Sequence, residues 1–298
     1  MIIKIPLTLL LSTLSFVLTV GPVFIIMRLS KRSTRNRKSP LNIKLLRSPG
    51  HTLQQQITDL DDEIIINLLS IPVLFLVVIA GSFVNTPGTD YRFNLFSFVI
   101  VAFIGCAACV WLGVQAYRAF KKRNLLRLGH DCELAVGQSL NDLISHGYKV
   151  YHDFPANEFN IDHIAIGPHG VFAVETKGRA KQLDINEPNW QLEFDGVSLK
   201  FPTWTEKGPI DQVRRQAKWL SKWIESATGE PQNVSPVLAI PGWFIKRTKP
   251  SDIKVFAGKN PEFLTKAQVV LSDKRIAAIS HQVEGKCRDV ETKSYKKD

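Results

Sequence analysis

Asp162, Glu175 and Lys177 stand within NIDHIAIGPHGVFAVETK, residues 160–177, and their types and spacing suit one kind of chemistry. Ile161 to Gly167 and Val171 to Lys177 are apolar, β-rich runs joined by Gly167-Pro168-His169-Gly170, which predicts a hairpin. If Ile166 pairs with Val171, Asp162 falls directly opposite Glu175 on one face, with Cβ atoms roughly 4.5–5.5 Å apart. Two like charges placed so closely repel unless something positive lies between them. Lys177, two residues beyond Glu175, shares its face and supplies one positive charge. A divalent cation bound by both carboxylates would supply the rest. Such a cation acts as a Lewis acid and lowers the pKa of a bound water, while a lysine orients that water or offsets developing charge. The competing reading is a structural ion-pair network, which suits one carboxylate with Lys177 better than two opposed ones.

These residues resemble the nuclease-related domain (NERD) family, a branch of the PD-(D/E)xK restriction-endonuclease-like superfamily. Its pattern places an Asp on one strand, here Asp162, and Glu-x-Lys on the next, here Glu175-Thr176-Lys177. Glu133 in GHDCELAVGQSL and Gln212 in GPIDQVRRQAKWL match further parts of the pattern, while the usual Pro before the Asp is replaced by Ile161. The resemblance covers roughly Gly129 to the end of the chain. It implies an α/β, restriction-endonuclease-like mixed sheet flanked by helices. It also implies a catalytic set of Asp162, Glu175, Lys177, Glu133 and Gln212, with Mg²⁺ (or Mn²⁺) on Asp162 and Glu175. Glu133 would reach the metal directly or through water, and Gln212 would position substrate or site. The implied activity is phosphodiester hydrolysis in nucleic acid, DNA before RNA; the alternative is a nucleic-acid-binding or scaffolding module that kept the fold without turnover.

The elements that must position these groups can be read around them. A helix over Asp131 to Ser145 would place Glu133 near its N-terminus, where the helix dipole alone explains a carboxylate. Tyr148 to Phe154 reads as a strand. Pro209 to Ser226 reads as a helix, with Ile210, Val213, Ala217, Leu220 and Ile224 as its buried stripe and Gln212 and Gln216 four residues apart on its flank. Lys207, Arg214, Arg215, Lys218 and Lys222 are candidates for the phosphate backbone, with Trp219 and Trp223 nearby for stacking; a solvated face explains any one of them alone. Val234 to Ile240 and Val269 to Leu271 suggest further strands, and Asp273 to Val283 a closing helix. His152, His163 and His169 lack metal-ligand spacing and read as turn or surface residues.

The first part of the chain is of another kind. Residues 5–27 carry no charge and are long enough for a hydrocarbon core of about 30 Å. Arg28 to Arg47 holds eight Lys and Arg residues and no acid, which marks a cytoplasmic flank. Two more apolar runs, Ile64 to Val84 and Phe93 to about Ala116, are separated by NTPGTDYR and followed by Lys121, Lys122 and Arg123. The expected organisation is therefore a transmembrane helix (1–28), a basic cytoplasmic linker (29–63), a transmembrane hairpin (64–120), the nuclease-related domain (121–285) and a polar tail (286–298). That makes an integral protein of an inner or plasma membrane, with a lipid bilayer as one partner and its soluble domain in the cytoplasm. Cys106 and Cys109 have CxxC spacing but lie in FIGCAACVWLG, where small residues pack helices better than they bind metal. Cys132 and Cys287 are isolated, as suits a reducing compartment. Net charge +11 favours an acidic partner without choosing between DNA, RNA and lipid.

Overall fold

The computed structural model describes residues 40–81, 83–84, 92–93, 95–182 and 190–292, together with Ile25 and Arg28. It divides into two compact units, of which the second comprises Leu41–Ile57 and Asn124–Thr292. The described part of the first unit is mainly helical. It takes the greater part of α1 (His51–Gly81) and of α2 (Leu95–Leu140), with two-residue strands β1 (Phe83–Val84) and β2 (Arg92–Phe93) paired antiparallel. Among the described residues one helix, Phe98–His146 when the 3-10 turn after α2 is included, is long and apolar enough to cross a membrane. Phe96, Phe103, Val110, Trp111 and Tyr117 are all exposed on α2.

The expectation of three crossings is thereby reduced to one such helix. The first expected span, residues 5–27, lies outside the described residues except for Ile25, as do residues 29–39 of the linker, most of the spacer after Val84, and residues 293–298 of the tail. The second expected span is helical as far as Gly81, with Pro72 inside the helix.

In the second unit, a five-stranded sheet carries the order β11-β9-β5-β4-β3. Its strands are β3 (Lys149–Pro155), β4 (Asn160–Gly167), β5 (Gly170–Thr176), β9 (Val234–Ala239) and β11 (Lys254–Phe256). β3, β4 and β5 run antiparallel in sequence, whereas β9 is parallel to β5 and β11 to β9, so the sheet is mixed. Ile166 pairs with Val171 and Gly167 with Gly170, which leaves Pro168 and His169 as the turn and gives the register anticipated from sequence. β5 is buried along its whole length because both faces of the sheet are covered.

One face packs Ile164, Ile166, Val171 and Ala173 against α3 (Gly208–Thr228) and α4 (Asp273–Cys287), through Ala217, Leu220, Ile224, Ile279 and Val283. The other packs Ala165, Phe172 and Val174 against Val136 and Leu140 of α2 and Leu143 of the 3-10 turn Asn141–His146. A second, four-stranded mixed sheet, β10-β6-β7-β8, comprises β6 (Gln191–Phe194), β7 (Leu199–Lys200), β8 (Thr205–Glu206) and β10 (Phe244–Arg247). Its Leu192, Phe194 and Leu199 share a core with Ile210 and Val213 of α3. Two mixed sheets flanked by helices thus stand where one was expected.

Three local readings change. No helix begins near Asp131, because α2 runs unbroken to Leu140. Gly129 lies inside it, and a Cβ there would come within 3.3 Å of a Leu53 methyl. At Gly137 a Cβ would lie 2.5 Å from the Pro49 ring, so the segment before α1 is seated directly on α2. Val269 to Leu271 forms no strand; the amides of Val270 and Leu271 instead bond the carbonyl of Pro168 at 2.8 and 3.0 Å, bracing the β4–β5 turn. The described part of the polar tail, residues 286–292, is also tied down. Leu45 bridges Val290 antiparallel, and Arg47 forms two bonds to the Asp289 carboxylate at 2.7 and 2.8 Å.

Candidate functional site

At the open end of the β4–β5 hairpin the two strands part. Their ladder reaches His163 opposite Val174, after which β5 continues to pair on its other side, Glu175 with Leu238 and Thr176 with Ala239. The Thr176 amide therefore has no backbone partner on the β4 side. The Asp162 carboxylate takes its place, accepting that N–H at 2.7 Å through Oδ2. By strand alternation, Asp162 and Glu175 project from the face that Ile164 and Ala173 present to α3.

Glu175 is 2% exposed and both of its oxygens are engaged. Oε1 accepts from Gln212 Nε2 at 2.7 Å and pairs with Lys177 Nζ, and Oε2 accepts from Gln216 Nε2 at 2.7 Å. The carboxylate is thus clamped from α3 by two amides one helical turn apart. Gln216 Nε2 also donates to the Asn160 carbonyl at 3.2 Å, whereas its Oε1 is buried without a hydrogen-bond partner.

Glu133 arrives from α2. Gly178, directly after Lys177, permits this approach, since a Cβ there would stand 3.1 Å from both the Leu128 carbonyl and Cys132 Sγ. Because α2 is continuous, Glu133 lies in the helix interior, and a helix N-terminus cannot account for it. Burial first, then the charges of Asp153 and Glu175, raise its pKa from 4.5 to about 8, with Lys177 pulling the other way. Burial likewise raises Asp162 well above the ordinary carboxylate range, assisted by Glu175 and Glu133 and opposed by the Thr176 hydrogen bond and Lys177. Three carboxyl groups therefore share one lysine.

Beneath the site, on the opposite face of the sheet, His163 is wholly buried, contrary to the reading of it as a turn or surface residue. Its Nδ1 meets His152 Nδ1 at 2.9 Å and its Nε2 meets Thr176 Oγ1 at 3.3 Å. Two facing Nδ1 atoms require one donor and one acceptor, so the rings are complementary neutral tautomers. Burial lowers both, His152 to about 4 and His163 well below its usual value. The threonine between Glu175 and Lys177 is in this way fixed through its side chain as well as its amide.

Asp153 closes the rim from β3. At φ +49° it stands in the left-handed region and is 3% exposed. Its Oδ2 accepts from the Thr52 amide at 3.0 Å, Thr52 Oγ1 at 2.6 Å and Arg47 Nη1 at 3.2 Å, and its Oδ1 from Asn160 Nδ2 at 3.1 Å. It caps the start of α1 from a distant strand, satisfying one of the amides a helix N-terminus leaves over.

The structure thus brings Asp162, Glu175, Lys177, Glu133 and Gln212 together. Of the basic candidates, Arg214 is bound to Asp252 by two hydrogen bonds at 2.6 and 3.0 Å. It lines, with Lys218, Lys222, Ser221, Asn233 and Asp252, a cleft beside α3. Lys207 stands exposed at the cap of α3, and Arg215 is exposed on that helix. Sequence reasoning placed Gln216 beside Gln212 on the helix flank but gave it no role, and it passed over the buried pairing of His163. The partnership of Asp153 with Arg47 and Thr52 had no sequence signal, because about a hundred residues separate the partners.

Among the described residues no group of three or more His, Cys, Asp and Glu side chains is arranged to hold a metal ion. The donors present nevertheless suit a hard cation. Asp162 and Glu175 offer carboxylate oxygens, the donor type Mg²⁺ takes when water and substrate complete its shell.

Residues 128–241 match the model of the nuclease-related domain family, NERD, and that span contains every residue of the cluster from Glu133 to Gln216. No curated protein and no solved structure matches the chain.

Proposed function

We propose that the nuclease-related domain carried by this chain is a metal-dependent nuclease that hydrolyses phosphodiester bonds, with DNA as its substrate and Mg²⁺ or Mn²⁺ as its cofactor. The observation that supports this most directly is the crowding of Glu133, Asp162 and Glu175 around Lys177. A structural network would match acids to bases; an excess of buried carboxyl groups instead leaves repulsion that a cation relieves. When bound, that cation polarises the scissile phosphate and lowers the pKa of a coordinated water.

Asp162 and Glu175 are the residues that would hold it. Gln212 and Gln216 keep the Glu175 carboxylate in one orientation, and the Thr176 amide does the same for Asp162. Lys177 keeps a positive charge beside the position where the phosphate gains negative charge in the transition state. Glu133 keeps its proton to about pH 8 in the metal-free protein and becomes a further carboxylate when a cation arrives. Membrane anchoring belongs to the same proposal. The exposed apolar length of α2 is followed by Lys121, Lys122 and Arg123, a charge excess that supports a cytoplasmic side for the domain.

The test is incubation of the full chain, purified in detergent, with labelled DNA in Mg²⁺, Mn²⁺ or EDTA. The expected result is cleavage with either metal, none in EDTA, and none from Asp162→Asn or Glu175→Gln. Binding without cleavage in every metal would overturn the proposal in favour of a binding module.

A further inference from the structure

One face of α3 leads away from the carboxylates in a line. Gln212, Gln216, Trp219 and Trp223 follow one another at helical spacing, so the stripe that clamps Glu175 continues into two indoles. Their ring planes lie 10° apart with centroids 6.5 Å apart. Phe159, next in sequence to the Asn160 whose carbonyl Gln216 binds, meets Trp219 edge-on at 5.4 Å. Phe154, fully buried, sets its edge against Trp223 at 4.9 Å and forms the floor. Phe159, Trp219 and Trp223 are each only half-buried, so part of every ring stays at the surface. Along the helix Trp219 and Trp223 lie about 4.5 and 10.5 Å beyond Gln216.

Cations flank this aromatic line. Arg215 precedes Trp219 by one turn, and Lys218 and Lys222 lie beside it, all three exposed. Unlike Arg214, none of the three forms an ion pair with a described residue. Aromatic faces bordered by unpaired cations suit a strand whose phosphates are outside and whose bases are free. A base inside a duplex is already stacked on both sides, whereas an unpaired base has a face to offer.

Resting on the nuclease reading above, we propose that Phe159, Trp219 and Trp223 form a base-stacking platform, and that the substrate presented to Asp162 and Glu175 is single-stranded nucleic acid or an unpaired stretch of a duplex.

The test uses the full chain in detergent with EDTA, so that binding is read without cleavage, by fluorescence anisotropy of a labelled oligothymidylate and of a blunt duplex of equal length. The single strand should bind more tightly and quench tryptophan emission. Trp219→Leu, which keeps apolar bulk but removes the ring, should weaken single-strand binding roughly 5- to 150-fold, the range for one stacked base, and leave duplex binding unchanged. Trp219→Phe should restore most of the affinity, and unchanged thermal melting of both variants would show that the fold is kept. Equal affinity for the two ligands, or a Trp219→Leu variant that binds the single strand like the parent, would overturn the platform. In that case metal-dependent cleavage of duplex DNA would still leave the nuclease reading standing, whereas no binding of either ligand and no cleavage would sink both.

Discussion

Asp162 accepts the backbone amide of Thr176 at 2.7 Å, so a side chain completes the hydrogen bond that a backbone carbonyl of β4 would have made had the strands stayed paired. The opening of the hairpin and the placing of its first carboxylate are thus a single event. The same threonine holds His163 on the far face, and the residues on either side of it are Glu175 and Lys177.

Loss of Lys177 should separate chemistry from binding. An ammonium group donates hydrogen bonds and cannot ligate a cation. Lys177→Ala should therefore abolish most cleavage, by roughly a hundredfold or more if it acts as a single electrostatic stabiliser does elsewhere. Titration calorimetry with Mn²⁺ should show metal affinity kept or raised, since a competing positive charge is gone. Loss of metal binding in this variant would remove the electrostatic role.

Stability of the metal-free protein should fall as pH rises. The Glu133 carboxyl keeps its proton in the fold up to about 8 but loses it near 4.5 when unfolded. Between those values the native state binds more protons than the unfolded state, so the slope of stability with pH is negative. Asp162, raised in the same direction, adds to it. The stabilisation is complete below about pH 4.5 and gone above about 8, and its size is on the order of a few kcal/mol. Melting in EDTA across pH 5 to 9 checks this. Glu133→Gln should flatten the slope and melt higher than the parent at the alkaline end, and Asp162→Asn should melt at the parent temperature or above it. Added Mg²⁺ should stabilise the parent most at high pH.

Gln216→Leu removes two hydrogen bonds from a buried position, exposing Glu175 Oε2 and the Asn160 carbonyl to an apolar side chain. A charged acceptor left unpaired costs about 1–3 kcal/mol or more. Chemical denaturation should report that loss, and cleavage should fall even under conditions where the variant is fully folded. A variant as stable and active as the parent would show that Gln212 alone positions Glu175.

Asp153→Ala should release the segment before α1. Arg47, the Thr52 amide and hydroxyl, and Asn160 all lose an acceptor together. Hydrogen exchange of amides 45–55 should accelerate at least tenfold, while those of β5, in the middle of the sheet, stay protected. Unchanged exchange near Thr52 would mean that the packing of Pro49 on Gly137 holds the segment by itself.

The hairpin and its register as far as His163 opposite Val174 were legible in the sequence, because a two-residue turn between apolar strands leaves few ways to pair and side-chain alternation then settles the face; the direct pairing expected of Asp162 with Glu175 is not formed, since the strands part before it. The buried stripe of α3 was legible for the same reason, periodicity being a local property. What depended on distant contacts was not. Glu133 read as a helix-start residue because a helix was expected to begin near Asp131, whereas the helix that carries it starts at Leu95 and runs unbroken to Leu140. His163 read as a surface residue because nothing in its neighbourhood announces His152 and Thr176 as partners in the core. The partners of Asp153 carried no signal, since they come from a segment about a hundred residues earlier. Local sequence determined which groups could do chemistry and which strands bear them. Tertiary structure decided how many carboxyl groups share one lysine, because burial and the approach of separate helices set their charge balance, and neither is written in the spacing of residues along the chain.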